Sequence, residues 1–311
     1  MLGKCVLLLI LLAVSGCSHI DTTEGEVVMP EGVKTLTVDN VELAYRDCGE
    51  GPPIVFIHGF GASSYSWQEV AKQLSSSHRT ICLDLMGFGR SGKPLKETYT
   101  LQRQATLVRG FITQLQLKEP ILVGHSYGGG VCLSIVDQLR CENELDVKAL
   151  VLVDTICYPQ KFPDFIKVLR SSFLRTLVFK LVSTRKSVMS LLELVYYRHD
   201  RIKPETVTEY ASALKMKGGR EALAATAASI LPKDMPSFTD AYSHISIPSL
   251  VIWGEHDEII PKGLGQRLSC QLPRAEFVVI QDSGHAPQEE VPENTIQAIE
   301  GFITKLSSSA E

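Results

Sequence analysis

Ser126 lies in Gly124-His125-Ser126-Tyr127-Gly128, directly after the apolar run PILVGHS and directly before a glycine pair and a helix-like stretch. Strand, G-x-S-x-G turn and helix, in that order, make the sharp elbow that exposes a nucleophilic serine at the carboxyl edge of a sheet. Gly124 and Gly128 let the neighbouring strand and helix close in, while the serine takes a sparsely allowed backbone conformation. The five-residue pattern alone also fits a plain glycine-rich turn; its placement favours the nucleophile. A serine hydroxyl is a weak nucleophile at neutral pH and needs a base within hydrogen-bond reach, itself oriented by a carboxylate. Two later segments offer them: LVIWGEHDEIIP puts Asp257 just past one strand-like run, and FVVIQDSGHAPQEEVP puts His285 just past the next. Asp154, Asp282 and Glu255 stand as rival acids. Among the other histidines, His125 and His256 are expected in supporting roles, and His78, His199 and His244 as ordinary surface or core residues.

Bringing those segments together requires a sheet. VKTLTV from Val33 and VELAYRDCG from Val41 alternate like a half-buried antiparallel pair. PIVFIHG, RTICLDL, PILVGHS, VKALVLVD, PSLVIWG and AEFVVIQ are near-continuous apolar runs, the mark of buried parallel strands. Between them YSWQEVAKQL, TLQRQATLVRGFITQLQ, Gly128 to Arg140 and ENTIQAIEGFITKL carry apolar residues at helical spacing. This alternation predicts an α/β fold, an eight-stranded mostly parallel sheet with helices on both faces. From Asp154 to about Ile247 no strand-like run interrupts the helical stretches, which predicts an inserted helical cap. The expected organisation is a leader over 1–16, a tether over 17–32, the first part of the core over 33–154, the cap over 155–247 and the second part of the core over 248–311.

From Gly51 almost to the C-terminus the sequence resembles the lidded α/β-hydrolase superfamily, whose usual acid and base signatures match Gly254-x-x-Asp257 and Gly284-His285. The resemblance implies a triad of Ser126, His285 and Asp257; it also keeps Asp154 in view, because some relatives place the acid there. It further implies an oxyanion hole, since the tetrahedral intermediate concentrates charge on the former carbonyl oxygen, and losing one donor typically costs about 10²–10³ in turnover. The donors implied are the backbone N–H groups of Tyr127 and of Phe60 in His58-Gly59-Phe60-Gly61, with His58 bracing that loop and Gly59 shaping its turn.

Gly87-Phe88-Gly89-Arg90-Ser91-Gly92 matches a dinucleotide-binding pattern, but Lys93-Pro94 follows it instead of a helix. By resemblance, Asp84 through Pro94 is a structural loop near the site. No H-E-x-x-H or C-x-x-C pair is present, so no metal and no cofactor is expected. A net charge of -4 and a pI near 6.1 offer no broadly basic surface for nucleic acid. With 44% apolar and 21% charged residues the chain has ordinary globular usage.

At the start, Lys4 precedes an apolar run from Val6 to Val14 and then Ser15-Gly16-Cys17, the layout of a signal peptide. Val14 to Cys17 resembles the lipobox of bacterial lipoproteins. That implies an acylated (palmitate-bearing) Cys17, an exported protein anchored to the cell-envelope membrane, and, from Ser18, the outer membrane rather than the inner. An ordinary cleaved signal or an uncleaved anchor is the alternative. Of the remaining cysteines, Cys82 and Cys132 read as buried small apolar residues, and no disulfide framework emerges.

A serine nucleophile calls for a carbonyl electrophile and disfavours epoxide and haloalkane chemistry, which uses a carboxylate. Small-molecule carboxylic esters are the expected substrates, through an acyl-enzyme. Hydrolysis of a carbon–carbon bond in a dienoic diketone-like acid is the second reading, although such relatives more often show Asn-Ser-Met where this chain has His125-Ser126-Tyr127. Amides, lactones and perhydrolase-like side activity stay open, and a non-catalytic binding protein on the same fold is the third reading. From Lys161 to Lys203 the cap holds ten Lys or Arg against three Asp or Glu. That face either meets acyl chains and an anionic membrane or is a solvated basic surface over an ordinary core.

Overall fold

The computed structural model describes residues 32–308 except 143 and 145; Cys17, the leader and nearly all of the expected tether lie outside the described residues. Eight strands form one sheet: β1 (Val33–Val38), β2 (Val41–Cys48), β3 (Pro53–Ile57), β4 (Arg79–Leu83), β5 (Ile121–His125), β6 (Ala149–Val153), β7 (Ser249–Gly254) and β8 (Ala275–Ile280). Their spatial order is β1-β2-β4-β3-β5-β6-β7-β8. β1 pairs antiparallel with β2, β2 antiparallel with β4, and every later pair is parallel. The expected sheet is therefore the observed one. In β5, β6 and β7 every residue is buried, which is why those segments read as unbroken apolar runs rather than alternating ones.

Helices cover both faces. α1 (Gln68–Leu74) and the C-terminal helix, Pro292–Ser308, pack Val70, Leu74, Ile299 and Phe302 with Trp67 on Ile54, Phe56 and Val123. α2 (Leu101–Gln114) and α3 (Tyr127–Glu142) cover the other face with Leu107, Phe111, Val131 and Ile135. Thr100 starts α2 by accepting the Arg103 N–H at 3.2 Å, satisfying one of the donors a helix start leaves orphaned.

Between β6 and β7 the chain leaves the sheet for six helices: α4 (Asp164–Arg170), α5 (Ser172–Leu181), α6 (Thr184–Val195), α7 (Pro204–Lys215), α8 (Gly219–Ala228) and α9 (Met235–Asp240). Ser171 and Ser183 cap α5 and α6 through their hydroxyls, which divides the long apolar-basic stretch into separate helices. Val188, Leu192, Val207 and Tyr210 join Ala286 in a small core under α6 and α7. α5 buries no residue fully and leaves Phe173 74% exposed. After β7 come α10 (Lys262–Gln271), β8, a single-turn helix α11 (Pro287–Glu290) and α12, the C-terminal helix.

Candidate active site

Ser126 sits at the tip of β5 with φ of 51°, a left-handed conformation that costs a non-glycine residue roughly 1–2 kcal/mol. Backbone bonds hold it there: its N–H donates to the Val153 carbonyl at 2.8 Å, and its own carbonyl accepts from Gly129 and Ile156, both at 3.1 Å. A Cβ at Gly128 would strike the carbonyl of Ile57, so only glycine lets α3 begin so close to β3. A Cβ at Gly59 would come within 2.7 Å of His125 Nδ1 and 3.3 Å of Ser126 Cβ, which sets the loop after β3 directly beside the serine.

Asp257 and His285 follow β7 and β8 and close on Ser126. The Ser126 hydroxyl donates to His285 Nε2 at 2.9 Å across 159 residues of sequence. His285 Nδ1–H donates to Asp257 Oδ2 at 2.8 Å, and Asp257 Oδ1 accepts the backbone N–H groups of Ile259 and Ile260 at 2.8 and 3.0 Å. Burial works to raise the Asp257 carboxyl, but the charge and hydrogen bond of His285, with the backbone N–H of Ile260, overcome it and hold Asp257 below its ordinary value.

The rival acids separate clearly. Asp154 is fully buried, with Oδ1 accepting the Gly254 N–H at 2.9 Å and Oδ2 without a hydrogen-bond partner. Burial first, then the Asp257 charge, push its carboxyl well above the usual range. Asp282 turns away to accept from Arg201 Nη2 at 2.6 Å. Glu255 lies 3.3 Å from His256, whose exposed ring stacks on Tyr197 at 3.8 Å between centroids. His125 is buried and supports the site: its Nε2–H donates to the His285 carbonyl at 2.6 Å, and burial, then His285, lower its pKa to about 3. His199 and His244 are exposed and His78 is partly so.

Around the trio, the loop residues act through backbone and packing. His58 Nδ1–H donates to the Gly59 carbonyl at 2.8 Å and Nε2 accepts the Leu85 N–H at 3.0 Å, so this neutral ring ties the loop after β3 to the loop after β4. Phe60 sets its ring against Phe88 and Phe165, and Tyr127 is wholly buried where α3 begins. The glycine-rich stretch Gly87–Gly92 opens no helix; Asp84 accepts the N–H groups of Ser64 and Arg90 at 2.6 and 2.7 Å, and Ser91 accepts the Ala44 N–H at 2.8 Å. Cys82 and Cys132 are buried, and all six described cysteines are free.

A cavity of about 70 Å³ opens over Ser126 and His285 under the cap. One part of its wall is apolar, with Ile156, Phe162, Phe165, Ile166 and Ile230. The His285 side adds Leu192, Val195, Ile259, Ala286, Tyr210 and Glu289, the last a carboxyl that the sequence reading did not single out. Glu289 Oε1 accepts the Tyr210 hydroxyl at 2.7 Å and Oε2 that of Tyr196 at 3.3 Å, while burial, opposed by those two bonds, raises its pKa to about 7. Its neighbour Glu290 was also missed. That carboxylate accepts backbone N–H groups from Gly284, Tyr197 and Arg198 at 2.8, 3.2 and 2.6 Å, joining the cap to the loop of His285. The one available signal was two carboxylates immediately after the His285 signature, without helical or strand periodicity to place them.

Comparison with known proteins agrees with this architecture. A family profile described as the alpha/beta hydrolase fold matches residues 52–292. A Bacillus subtilis protein named uncharacterized hydrolase YugF is 30% identical over 283 residues, covering 89% of this chain and 99% of that one. Lipase 1 of Psychrobacter immobilis is 25% identical over 320 aligned positions, covering 98% of each. Among solved structures, a thermophilic esterase from Thermogutta terrifontis superposes with a TM-score of 0.72 at 27% identity, covering 88% of this chain and 97% of the other. With its eight-stranded sheet and a match that takes in most of its length, the chain belongs to the alpha/beta hydrolase fold family and is a hydrolase.

Proposed function

We propose that this protein is a serine hydrolase that cleaves neutral carboxylic esters through an acyl-enzyme. The observation that carries the reading is the unbroken hydrogen-bonded chain from the Ser126 hydroxyl through His285 to Asp257. His285 takes the proton as Ser126 attacks the ester carbonyl, and Asp257 keeps the imidazole in the required tautomer and stabilises the imidazolium. The N–H groups of Phe60 and Tyr127 receive the oxyanion. His285 then returns the proton to the departing alcohol, and water, activated by the same base, releases the acid. The cavity wall favours an ester over a dienoic diketone-like acid: among its described residues it has no Lys or Arg to meet a substrate carboxylate, and its Glu289 would repel one.

The similarity to a lipase and an esterase supports the same substrate class. The test is stopped-flow release of p-nitrophenol from esters of increasing chain length. A burst equal to one equivalent of enzyme, absent in Ser126→Ala, is expected; no release, or equal release by Ser126→Ala, refutes the reading. By its sequence, we further propose that Cys17 is acylated and anchors the protein to the cell envelope. No described helix is long and apolar enough to cross a membrane. Incorporation of radiolabelled palmitate that disappears in Cys17→Ala is the expected result.

A further inference from the structure

Glu289 is the one carboxyl among the described residues that line the cavity, whose other polar side chains beside Ser126 and His285 are His125, Gln160 and Tyr210. Taking a carboxyl out of water is costly unless hydrogen bonds or a cation compensate. Among the described residues no Lys or Arg comes within ion-pair distance of it; its partners are the hydroxyls of Tyr196 and Tyr210. A carboxylate has about four acceptor sites, so two remain, and the side chain keeps part of its surface open. Its position in the reaction follows from chemistry. The leaving oxygen must take its proton from His285 Nε2, so the alcohol half of an ester lies against the His285 loop, whose next cavity-lining residues are Ala286 and Glu289. The apolar wall of Ile156, Phe162, Phe165 and Ile166 is left for the acyl half.

We infer that Glu289 selects the leaving alcohol: preferred substrates are esters of an apolar acid with an alcohol bearing a second, free hydroxyl next to the scissile oxygen, as in a monoacylated glycol or glycerol. A hydroxyl suits the site better than a permanent cation. With its pKa raised to about 7, Glu289 is ionised in only part of the population at neutral pH. A hydroxyl donates to the carboxylate and accepts from the carboxylic acid, whereas a cation would be matched only by the ionised form. The other titratable groups around it are His285 and Glu290 on its own segment, Tyr196, Tyr210 and Lys203 from the cap, and Tyr65 from the turn before α1, with Arg201 and Glu69 around a small adjoining cavity.

The inference rests on the serine-hydrolase reading, and two measurements keep their failures apart. The first is the ratio of kcat/KM for monooctanoylglycerol to that for propyl octanoate, esters with the same acid and a three-carbon alcohol. The wild type is expected to favour the glycerol ester by on the order of tenfold or more, the range for a hydrogen bond to a charged group. Glu289→Leu is expected to bring the ratio close to one, and Glu289→Gln, whose amide still pairs with a hydroxyl, to hold it in between. The second uses only the wild-type protein, in case Glu289→Leu does not fold. The octanoyl-enzyme formed from p-nitrophenyl octanoate is offered propylene glycol and propanol in equal amounts, and preferential transfer to the glycol is expected. Equal capture of the two alcohols, or a ratio that Glu289 substitutions leave unchanged, overturns the inference while the hydrolase reading stands. Loss of all Ser126-dependent p-nitrophenol release overturns both.

Discussion

At the residue scale, two neighbouring buried carboxyls are pushed in opposite directions: Asp154 well above the usual carboxylate range and Asp257 below it. Asp154 Oδ2 has no hydrogen-bond partner and lies beside the Asp257 charge, whereas Asp257 holds His285 Nδ1–H and two backbone N–H groups. Asp154→Asn keeps an oxygen that accepts the Gly254 N–H, and asparagine tolerates the residue's φ of 43°. It is expected to retain most activity. Asp154→Leu leaves the buried Gly254 N–H without its acceptor at the end of the strand that carries Asp257, and is expected to lower kcat. Asp257→Asn is expected to cost up to about 10⁴ in kcat, because the amide reverses the tautomer preference of His285; steady-state hydrolysis of a p-nitrophenyl ester across pH reads all three variants. Ser126, Asp257 and His285 were legible because each follows a strand at a glycine-marked turn. Glu289 and Glu290 were not, since two adjacent carboxylates in a polar run look like solvated surface until the cap folds over them.

At the element scale, the loop of His285 is tied to the cap rather than hung from the sheet alone. The His285 N–H donates to the carbonyl of Val195, the last residue of α6, at 2.7 Å, and Glu290 on α11 collects N–H groups from both sides of the join. Glu290→Leu leaves three backbone donors without an acceptor, each costing about 1–3 kcal/mol if it stays buried. Urea unfolding is expected to show a loss of about 3 kcal/mol or more, with kcat reduced as His285 loses its fixed place; an unchanged midpoint would mean that water replaces the carboxylate. The central strands β5, β6 and β7 were legible because fully buried strands are unbroken apolar runs, whereas β8, at the sheet's edge, carries a similar apolar run but is only partly buried. The four-residue α11 was not, because one turn has too few residues to show a period and its formation depends on packing against the cap.

At the scale of the whole molecule, β3, β5, β6, β7 and β8 add side by side in parallel, and Ser126, Asp257 and His285 follow the ends of β5, β7 and β8 on one edge of the sheet. The break in strand-like runs after Asp154 marked the cap, since six consecutive helices cannot serve as one crossover. How the cap meets the core depends on contacts between distant residues and leaves no local pattern. Glu289 should make that contact sensitive to pH in global stability. Its carboxyl is raised from 4.5 to about 7 on folding, so the stability from its protonated form is complete below pH 4.5 and is lost as pH rises through 7. The shift corresponds to about 3 kcal/mol. Glu289→Gln is expected to lose less stability than the wild type between pH 5 and pH 8, measured by urea midpoints; parallel pH curves would contradict this. The central claim, that segments as far apart as Ser126 and His285 assemble one reactive serine, is tested most directly by intact-mass and peptide mapping after exposure to a fluorophosphonate. One adduct on Ser126 is predicted, abolished in Ser126→Ala and strongly slowed in His285→Ala; a wild-type protein left unmodified, or modified at another residue, would contradict the account.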